Sequence, residues 1–414
     1  MGFKIGIVGG GLFAPGFTKL FKLHPYVDEV YLAELIPERR AKFAEAHGIE
    51  KTFESLEDML KNSDVDAVAI FTQRHLHGPQ TLQALRAGKH VYCAVPIAQT
   101  EEEIAEILEE VKRTGLIYMS GETSYYYPGT VLCRDRFRSG LMGDFVYGEA
   151  QYLHDMMHGF YDAYKYSGGE DWKKVAGIPP MHYPTHTMSM VLSVTGATAT
   201  QVSCLGYKDR HMDGIFTEEG NLWGNPYSNE TALVRTSDGG MLRANEFRRV
   251  GWGGARSVYM SMFGTTGSYE EHPNHAVWSN LKQFHHEDVT DLVTYRFGIK
   301  PEDADETTPK ALIRDFNSAC ADVHHMYRLP ESFDGQHNGH EGSHQFLVDD
   351  FMKALATNKL PPNNAWRAAA YMLPGIVAHQ SALRNGETLI VPQVGEPPKE
   401  WELLDPDSFV AYRY

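Results

Sequence analysis

The stretch FKIGIVGGGLFAPGFTKLF, residues 3–21, decides the fold. A run of β-branched and apolar residues ends in three glycines, and a segment with helical spacing follows. Gly9, Gly11 and Ala14 have the spacing G-x-G-x-x-G/A. The first glycine of this pattern allows a tight turn, the second lets the backbone approach a pyrophosphate, and the small third residue lets helix and strand pack closely. The stretch therefore predicts a dinucleotide-binding strand and helix.

The next strand-like segment, EVYLAEL (29–35), supports this prediction and indicates which dinucleotide binds. It carries Glu34 about 20 residues beyond the glycines, where an acidic side chain binds the adenosine ribose hydroxyls. A carboxylate there repels a ribose phosphate, so NAD is favoured over NADP. Arg39 and Arg40 follow closely and would weaken that preference, but we expect them in an exposed first turn of the next helix.

The alternation of strands and helices continues to about residue 122. Strand patterns at 66–72, 89–95 and 116–123 alternate with helix patterns at 78–88 and 100–115. Such alternation predicts parallel pairing with right-handed crossovers, hence a doubly wound Rossmann domain over residues 1–122.

After residue 198 the pattern changes to strands without long helices between them, at 199–207, 229–237, 240–250 and 256–270. The SDGG sequence at 237–240 predicts a hairpin turn. We therefore expect a second, α+β domain over residues 123–414 with a large open, mainly antiparallel sheet. Two predicted helices, 343–357 and 364–385, should pack back near the first domain, and residues 294–316 resemble an insertion.

Composition excludes several classes of function. The 414 residues are enough for two or three domains, and the net charge of −16 argues against general binding to nucleic acid or to an anionic membrane. The four cysteines form no CxxC pair, which suits a reducing compartment. The N-terminus lacks the pattern of a signal peptide, and no run of about 18 apolar residues occurs. These features predict a cytoplasmic protein without a membrane span.

Two further motifs, together with the glycine loop, resemble the Gfo/Idh/MocA family of sugar oxidoreductases. FTQRHLH (71–77) stands where the family has T-P-N-x-x-H, so Thr72 and His77 match while Gln73 and Arg74 differ. AGKHVYCAVP (87–96) matches A-G-K-H-V-x-x-E-K-P, except that alanine and valine replace the glutamate and lysine. The residues that this resemblance assigns to the cofactor, NAD, are Gly9, Gly10, Gly11, Leu12, Phe13, Ala14, Glu34, Thr72, Gln73, His75, His77, Ala94, Val95 and Pro96.

Val95 occupies the position at which the family's lysine contacts the substrate hydroxyl and the nicotinamide ribose. Valine before this proline is similar to one branch, the NAD-dependent glycosidases that act on N-acetylgalactosaminides. The resemblance implies that bound NAD oxidises the sugar at carbon 3, that elimination from carbons 1 and 2 follows, and that water addition and reduction complete a net hydrolysis.

Two stretches resemble the catalytic segments of that branch. Y-P-T-H at 183–186 provides Tyr183 and His186, and an imidazole is a suitable acceptor for the proton that a hydroxyl loses with its hydride. The strand ending Y-L-H-D provides Tyr152, a candidate base at carbon 2, with His154 and Asp155. His154 and His158 would contact sugar hydroxyls. A capping or packing role for His186, and a structural sheet face for Tyr152 and His154, remain the alternatives.

Other candidates are less specific. Residues 168–180 have no helical period and read as a loop, in which Trp172 and Lys173 would bind a sugar or simply pack. His182 with His186, and His340 with His344, have the i, i+4 spacing of metal ligands, but no Cys or Glu completes a motif and Pro184 interrupts the first pair. We therefore predict no metal site. The histidine pairs at 285–286 and 324–325 are expected at the surface, and His340 and His344 at the pocket or a domain interface.

The sequence is consistent with three different functions. The leading hypothesis is an NAD-dependent oxidoreductase that acts on the hydroxyl of a small carbohydrate. The second is a redox-neutral, NAD-dependent glycosidase. The third is a non-catalytic sugar or nucleotide sensor, because fold alone does not determine function. The open sheet also makes a homo-oligomer, a dimer or a tetramer, an expected state.

Overall fold

The computed structural model describes residues 2–251, 257–282, 284–294, 306 and 320–405. The chain forms two compact units. The first contains residues 1–128, 294–368 and 395–414, and the second contains residues 129–293 and 369–394. The sequence pattern placed a boundary after residue 122 and assigned everything beyond it to one domain, whereas two later segments return to the first unit. The predicted insertion at 294–316 lies almost entirely outside the described residues.

The first unit is built on a six-stranded parallel sheet with the strand order β3-β2-β1-β4-β5-β6. The order reverses between β1 and β4, which is the topological switch point where ligands bind in such sheets. Buried strands such as AVAI (67–70) are apolar at every position, because helices cover both faces. The strands are β1 Phe3–Val8, β2 Val27–Ala33, β3 Thr52–Phe53, β4 Ala67–Ile70, β5 His90–Cys93 and β6 Tyr118–Ser120.

Capping residues in the sequence set the ends of the helices of this unit, as the longest crossover helix shows. In the longest of the crossover helices, the Thr100 side chain caps the first turn by accepting from the Glu103 amide, and Gly115 ends the helix in the left-handed conformation. Three glutamates in its first turn and two basic residues in its last complement the helix dipole. The helices are α1 Ala14–Leu23, α2 Pro37–His47, α3 Leu56–Asn62, α4 His77–Arg86 and α5 Glu101–Thr114.

The helix α11, His344–Thr357, returns to the first unit because its apolar side chains pack on α1 and its charged side chains are neutralised there. Phe351 contacts Phe21 of α1 edge-to-face, with ring centroids 6.3 Å apart. Two adjacent carboxylates, Asp349 and Asp350, are fully buried, and Arg328 donates to both at 3.2 and 2.7 Å. Such a network is stable only because every buried charge has a partner.

The second unit is built on a nine-stranded sheet with the order β14-β13-β12-β11-β7-β10-β9-β8-β15. Only the β7–β10 pair of these adjacent strands is parallel, so the expected mainly antiparallel sheet is confirmed. SDGG forms the expected hairpin turn between β9 and β10, with Gly239 at φ +92°. The strands are β7 Phe145–Leu153, β8 Ala199–Lys208, β9 Tyr227–Thr236, β10 Met241–Phe247, β11 Val258–Gly264, β12 Gly267–His272, β13 His275–Asn280, β14 His285–Asp288 and β15 Leu389–Ile390.

One buried helix, α9, lies on this sheet and carries a candidate catalytic residue near its start. A side chain at Gly148 of β7 would lie 3.0 Å from Val191, so glycine lets this helix approach the strand closely. The helices outside the first sheet are α6 Pro128–Arg138, α7 Tyr161–Gly168, α8 Trp172–Ala176, α9 Thr185–Thr195, α10 Thr290–Val293 and α12 Ala365–Leu383. Across the described part of the chain, no helix has the length and apolar character needed to cross a membrane.

Candidate active site

The glycine loop between β1 and α1 has the geometry of a phosphate cradle. Gly9 has φ +94°, a left-handed conformation that favours glycine, and a Cβ there would lie 3.0 to 3.2 Å from Thr72 and Phe71. At Gly11 the nearest atom to a Cβ would be 3.8 Å away, so a ligand has room to approach the backbone. No side chain caps α1 at Phe13. In its first turn the Ala14 amide donates to the Gly11 carbonyl at 3.3 Å and Pro15 has no amide hydrogen, so an anion here would depend mainly on the backbone of the glycine loop.

Glu34 lies at the carboxyl end of β2 beside this loop and is buried. Its Oε2 accepts a hydrogen bond from the Gly10 amide at 2.7 Å, and its Oε1 accepts one from the Ile36 amide at 3.0 Å. The prediction that Arg39 and Arg40 are exposed is wrong, because both are half-buried against Glu34. Arg39 lies 3.7 Å from the carboxylate, whereas Arg40 donates to the Glu34 backbone carbonyl at 2.9 Å.

Two loops at the ends of β4 and β5 are held together by His77. Its Nδ1 lies 2.9 Å from the Pro96 carbonyl oxygen and its Nε2 lies 3.1 Å from that of Thr72. Burial lowers the pKa of His77 to about 4, so the ring is neutral near pH 7 and donates to one of the two carbonyls. Both ring nitrogens face the protein's own backbone, so His77 shapes the cofactor loop, and a direct contact with the dinucleotide stays a prediction.

The remaining predicted cofactor residues line the same ends of the strands. Thr72 donates to the Gln80 side chain at 2.6 Å, and Gln73 and His75 are half-buried in the turn before α4. Burial lowers the pKa of His75. Ala94, Val95 and Pro96 are buried and apolar, so no amine stands at the position of Val95. Three residues complete the glycine loop, namely the exposed Leu12, the half-buried Phe13 and the buried Ala14.

In the second unit, the candidate catalytic side chains form one aromatic cluster. The Tyr152 ring stacks on His186 with centroids 5.0 Å apart and on His154 with centroids 5.4 Å apart. The Tyr183 hydroxyl lies 3.3 Å from His186 Nε2. The sheet places Tyr152 at the end of β7, and α9 presents His186 from its second residue. Phenol and imidazole in contact can bind a sugar hydroxyl and accept its proton.

A buried ion pair lies against this cluster. The Arg248 guanidinium lies over the Tyr152 ring at 4.8 Å and over the Tyr183 ring at 5.7 Å. Glu246, which is fully buried, pairs with Arg248 at 3.2 Å and also accepts a hydrogen bond from Thr187 at 2.7 Å. The ion pair is neutral overall, but it holds the guanidinium face against the two phenol rings, where its local field favours negative charge that develops on a phenol or a bound oxygen.

The segment after β7 differs from its prediction. Residues 168–180 were expected to form a loop, but they contain α8. Before them, Met156–Phe160 forms a π-helical turn and α7 follows it. Asp155 starts the turn by accepting from the Met157 amide at 2.9 Å and also accepts from the Val250 amide at 2.8 Å. His158 is exposed, with its ring 6.0 Å from that of His154. The helices α7 and α8 are too short for their apolar residues to show a helical repeat in the sequence.

Trp172 and Lys173 lie on α8, and their contacts are with the protein itself. Trp172 packs on a small apolar core that includes Tyr164 and Phe216, and its ring meets Tyr161 edge-to-face. The Lys173 ammonium donates to the Asp213 backbone carbonyl at 2.8 Å. The packing alternative therefore accounts for the two side chains, and a sugar contact remains a prediction.

The first unit matches a family model over residues 3–122, described as an oxidoreductase family with an NAD-binding Rossmann fold. Residues 3–122 are thus similar to the Gfo/Idh/MocA oxidoreductases. The resemblance of the glycine loop, FTQRHLH and AGKHVYCAVP to this family is thereby confirmed.

Curated relatives of the chain include two kinds of enzyme. It is 27% identical over 219 residues to trans-1,2-dihydrobenzene-1,2-diol dehydrogenase of Bos taurus, a match that covers 52% of this chain and 62% of that enzyme. The aligned part thus spans less than two thirds of the bovine enzyme. A glycosyl hydrolase family 109 protein of Streptomyces filamentosus is 22% identical over 94% of this chain and 76% of its own length.

Solved structures show the same fold over nearly the whole chain. A levoglucosan dehydrogenase in complex with NADH and levoglucosan superimposes with a TM-score of 0.69 at 18% identity, covering 95% of this chain and all of that one. The myo-inositol 2-dehydrogenase of Lactobacillus plantarum gives 0.66 at 16% identity with the same coverage of both chains. The Rossmann domain followed by an α+β domain with a large open sheet is therefore confirmed as the architecture.

The histidine pairs considered as metal ligands have other partners. His182 precedes α9 and faces His379, with ring centroids 5.2 Å apart, and burial holds the pKa of His182 well below its usual value. His340 and His344 contact each other. Within the described ranges, no three His, Cys, Asp or Glu side chains converge in a way that would hold a metal ion.

The prediction that His324 lies at the surface is wrong. This residue is buried, and its Nε2 lies 2.7 Å from the Tyr126 carbonyl oxygen.

Glu246 and Arg248 were not identified as functional residues from the sequence. The signal lies in NEFRRV (245–250), where charged residues continue an otherwise buried strand. Because β10 pairs with β7 in parallel, Glu246 lies beside Tyr152. The residues after Glu246 therefore run alongside the residues after Tyr152, which include His154. That register depends on two strands far apart in sequence, which no local pattern reveals.

Proposed function

We propose that this protein is an NAD-dependent oxidoreductase that removes a hydride from a hydroxyl-bearing carbon of a small carbohydrate. The observation that carries the proposal is the contact of Tyr183, His186 and Tyr152 in one cluster, in a chain whose first unit matches an NAD-binding family. The diol, levoglucosan and inositol dehydrogenases named among its relatives support a polyhydroxylated substrate.

The residues of the first unit fit a dinucleotide. The glycine loop has the room and the left-handed turn that a pyrophosphate needs, and the carboxylate of Glu34 is positioned to accept hydrogen bonds from ribose hydroxyls. Because that carboxylate would repel a ribose phosphate, we assign NAD rather than NADP. When bound, the nicotinamide ring accepts a hydride from a sugar carbon and can return it.

The cluster of the second unit supplies the proton chemistry. His186 takes the proton of the reacting hydroxyl, so that a carbonyl forms as the hydride leaves. Tyr183, in contact with His186, donates a hydrogen bond to a neighbouring sugar oxygen. With valine at position 95, this assignment needs no lysine, because imidazole performs the proton transfer.

A second candidate is the redox-neutral glycosidase, and two observations favour it: Val95, and the position of Tyr152 beneath the Arg248 guanidinium. Oxidation at carbon 3 makes the carbon-2 proton acidic, and Tyr152 takes that proton while the carbon-1 leaving group departs with its bonding electrons. Water then supplies a hydroxyl to carbon 1 and its remaining proton to the departed alkoxide, and Tyr152 returns its proton to carbon 2. The bound nicotinamide would supply the hydride that restores carbon 3, while His186 returns the proton to the oxygen on that carbon. The Arg248 guanidinium over the Tyr152 ring holds the ring in place for this proton transfer.

The third candidate, a non-catalytic sensor, would bind NAD or a sugar without turnover. One experiment separates the three: an NMR time course in heavy water with purified protein, NAD and a panel of glycosides and free sugars. Oxidised sugar formed one-for-one with NADH supports the dehydrogenase. Cleaved sugar carrying deuterium at carbon 2, without accumulated NADH, supports the glycosidase. NAD binding without any conversion across the panel would overturn both catalytic proposals in favour of the sensor.

We further propose a cytoplasmic homo-oligomer, a dimer or a tetramer, with no nucleic-acid or membrane partner. Three of the four cysteines are buried thiols, in keeping with a reducing compartment. Leu205 and Leu233, on adjacent strands of the open sheet, are both more than half exposed. Light scattering coupled to size exclusion tests this assembly, and replacing Leu233 by aspartate should dissociate it.

A further inference from the structure

A segment from a distant part of the sequence packs on the glycine loop within the first unit. The His340 ring meets the Phe13 ring edge-on, with centroids 5.1 Å apart, and the His344 ring meets Phe13 at 5.6 Å. Phe13 immediately precedes α1, so His340 lies beside the end of the loop at which a dinucleotide phosphate binds.

His344 holds His340 in place. His344 is buried against Phe17 of α1, with ring centroids 4.1 Å apart, and its Nε2 lies 2.8 Å from His340 Nδ1. Burial and the neighbouring histidines, His337 and His340, keep the pKa of His344 well below its usual value, so His344 is neutral. A neutral His344 with its proton on Nε2 donates to His340 Nδ1, and His340 then carries its own proton on Nε2.

The backbone of this segment is held in an uncommon conformation. His340 and Glu341 are consecutive non-glycine residues with φ of +46° and +53°. Two residues of this kind in succession persist only where the surrounding structure over-determines them, and such strain concentrates at ligand-binding segments. Gly339 allows the close fit, because a Cβ there would lie 2.5 Å from the His344 ring.

We propose that His340 donates a hydrogen bond from Nε2 to the pyrophosphate of the bound dinucleotide, oriented by His344. The proposal rests on the proposed NAD cofactor. The imidazole of His340 is exposed, contacts Phe13 and is held by buried His344. In the tautomer that carries its proton on Nε2, it presents a donor beside the glycine loop. The ligand class is a nucleoside diphosphate, and the backbone amides of the glycine loop would share the same oxygens.

The test measures affinity by titration calorimetry and needs no turnover. The ligands are NAD⁺; ADP-ribose, which keeps the pyrophosphate but lacks nicotinamide; and adenosine, which has no phosphate. The variant is His340→Asn, because asparagine tolerates the left-handed conformation and lacks the imidazole. His272→Asn, at an exposed histidine of β12, is the matched control. Circular dichroism and thermal melting verify that each variant is folded.

We expect His340→Asn to weaken the binding of NAD⁺ and ADP-ribose equally, by about tenfold. Its affinity for adenosine, and all affinities of the His272→Asn variant, should stay unchanged. Unchanged NAD⁺ affinity would overturn the proposal. So would a loss seen with NAD⁺ alone, since that places the imidazole at nicotinamide, or an equal loss with adenosine, since that places it at the nucleoside. A wild-type protein that binds none of the three ligands would instead overturn the proposed cofactor itself.

Discussion

Glu246 accepts a hydrogen bond from the hydroxyl of Thr187 at 2.7 Å, and both residues are fully buried. Thr187 follows His186 directly on α9, and the second carboxylate oxygen of Glu246 pairs with Arg248. One carboxylate therefore positions both the helix that carries the candidate base and the cation above Tyr152. A buried charge that organises two functional groups in this way is costly to remove.

Glu246→Gln should lower turnover by about tenfold to a hundredfold, because the amide still accepts from Thr187 but no longer neutralises and orients Arg248. The substrate is the one that the NMR panel identifies. Thr187→Val removes only the hydroxyl and is the matched control, with a smaller expected loss. Steady-state kinetics measures both effects. Equal kcat in wild type and Glu246→Gln would show that the ion pair has no part in the reaction.

His186→Asn should lower turnover by roughly 10²- to 10⁴-fold, because asparagine cannot accept the hydroxyl proton. NAD⁺ affinity should stay within about twofold of wild type, since the assigned cofactor residues lie elsewhere in the chain. His211→Asn, at an exposed position, serves as the control. A variant that retained full activity would remove His186 from the mechanism.

Tyr152→Phe distinguishes the two catalytic hypotheses. If Tyr152 is the carbon-2 base of a glycosidase, the variant should still form enzyme-bound NADH in a single turnover but lose deuterium incorporation and bond cleavage. If the protein is a simple dehydrogenase, the overall rate should change by less than about tenfold. Rapid mixing with absorbance detection follows the hydride, and NMR follows deuterium. Full cleavage activity in the variant would contradict the role of Tyr152 as a base.

Glu34→Ser should reduce the preference for NAD⁺ over NADP⁺ by at least about tenfold, because the repulsion of a ribose phosphate disappears while Arg39 and Arg40 remain nearby. Glu38→Ser, in the exposed first turn of α2, is the matched control and should leave the preference unchanged. Titration of both dinucleotides gives the ratio. Identical ratios in wild type and Glu34→Ser would show that this carboxylate does not select the cofactor.

His77 should make the protein less stable as the pH falls. Its folded pKa of about 4 lies below the ordinary 6.5, so the unfolded chain binds the proton first and the stabilisation is lost between these two values. From about pH 7.5 to about pH 5.5 this residue should contribute a loss of about 1.4 kcal/mol. Urea unfolding measures it as the difference between wild type and His77→Gln.

Other buried histidines with a lowered pKa, including His24 and His182, also make the protein less stable as the pH falls. The contribution of His77 is therefore the difference in pH dependence between wild type and His77→Gln. His272→Gln, at an exposed position, should follow the wild-type pH dependence. If His77→Gln lost as much stability as wild type over the same interval, the residue would not be the source of the effect.

Local sequence predicted most of the first unit. The glycine spacing and the alternating strands are short-range patterns with direct physical causes, namely the left-handed turn at Gly9 and strands buried on both faces. The hairpin at SDGG was predicted for the same reason. The helix Trp172–Ala176, in the region 168–180 that was expected to be a loop, was not, because it is too short to show a period and is stabilised by packing on residues 215–223.

The sequence by itself determined the fold class, the dinucleotide-binding loop and the residue types available for proton transfer, because each depends on neighbouring residues and on backbone geometry. Only the tertiary structure decided which of these residues meet. The contact of Tyr152 with His186, the Arg248 guanidinium above it, and His340 against Phe13 join parts of the chain separated by tens or hundreds of residues. Such contacts follow from strand register and helix packing, which are set by the burial of the whole core.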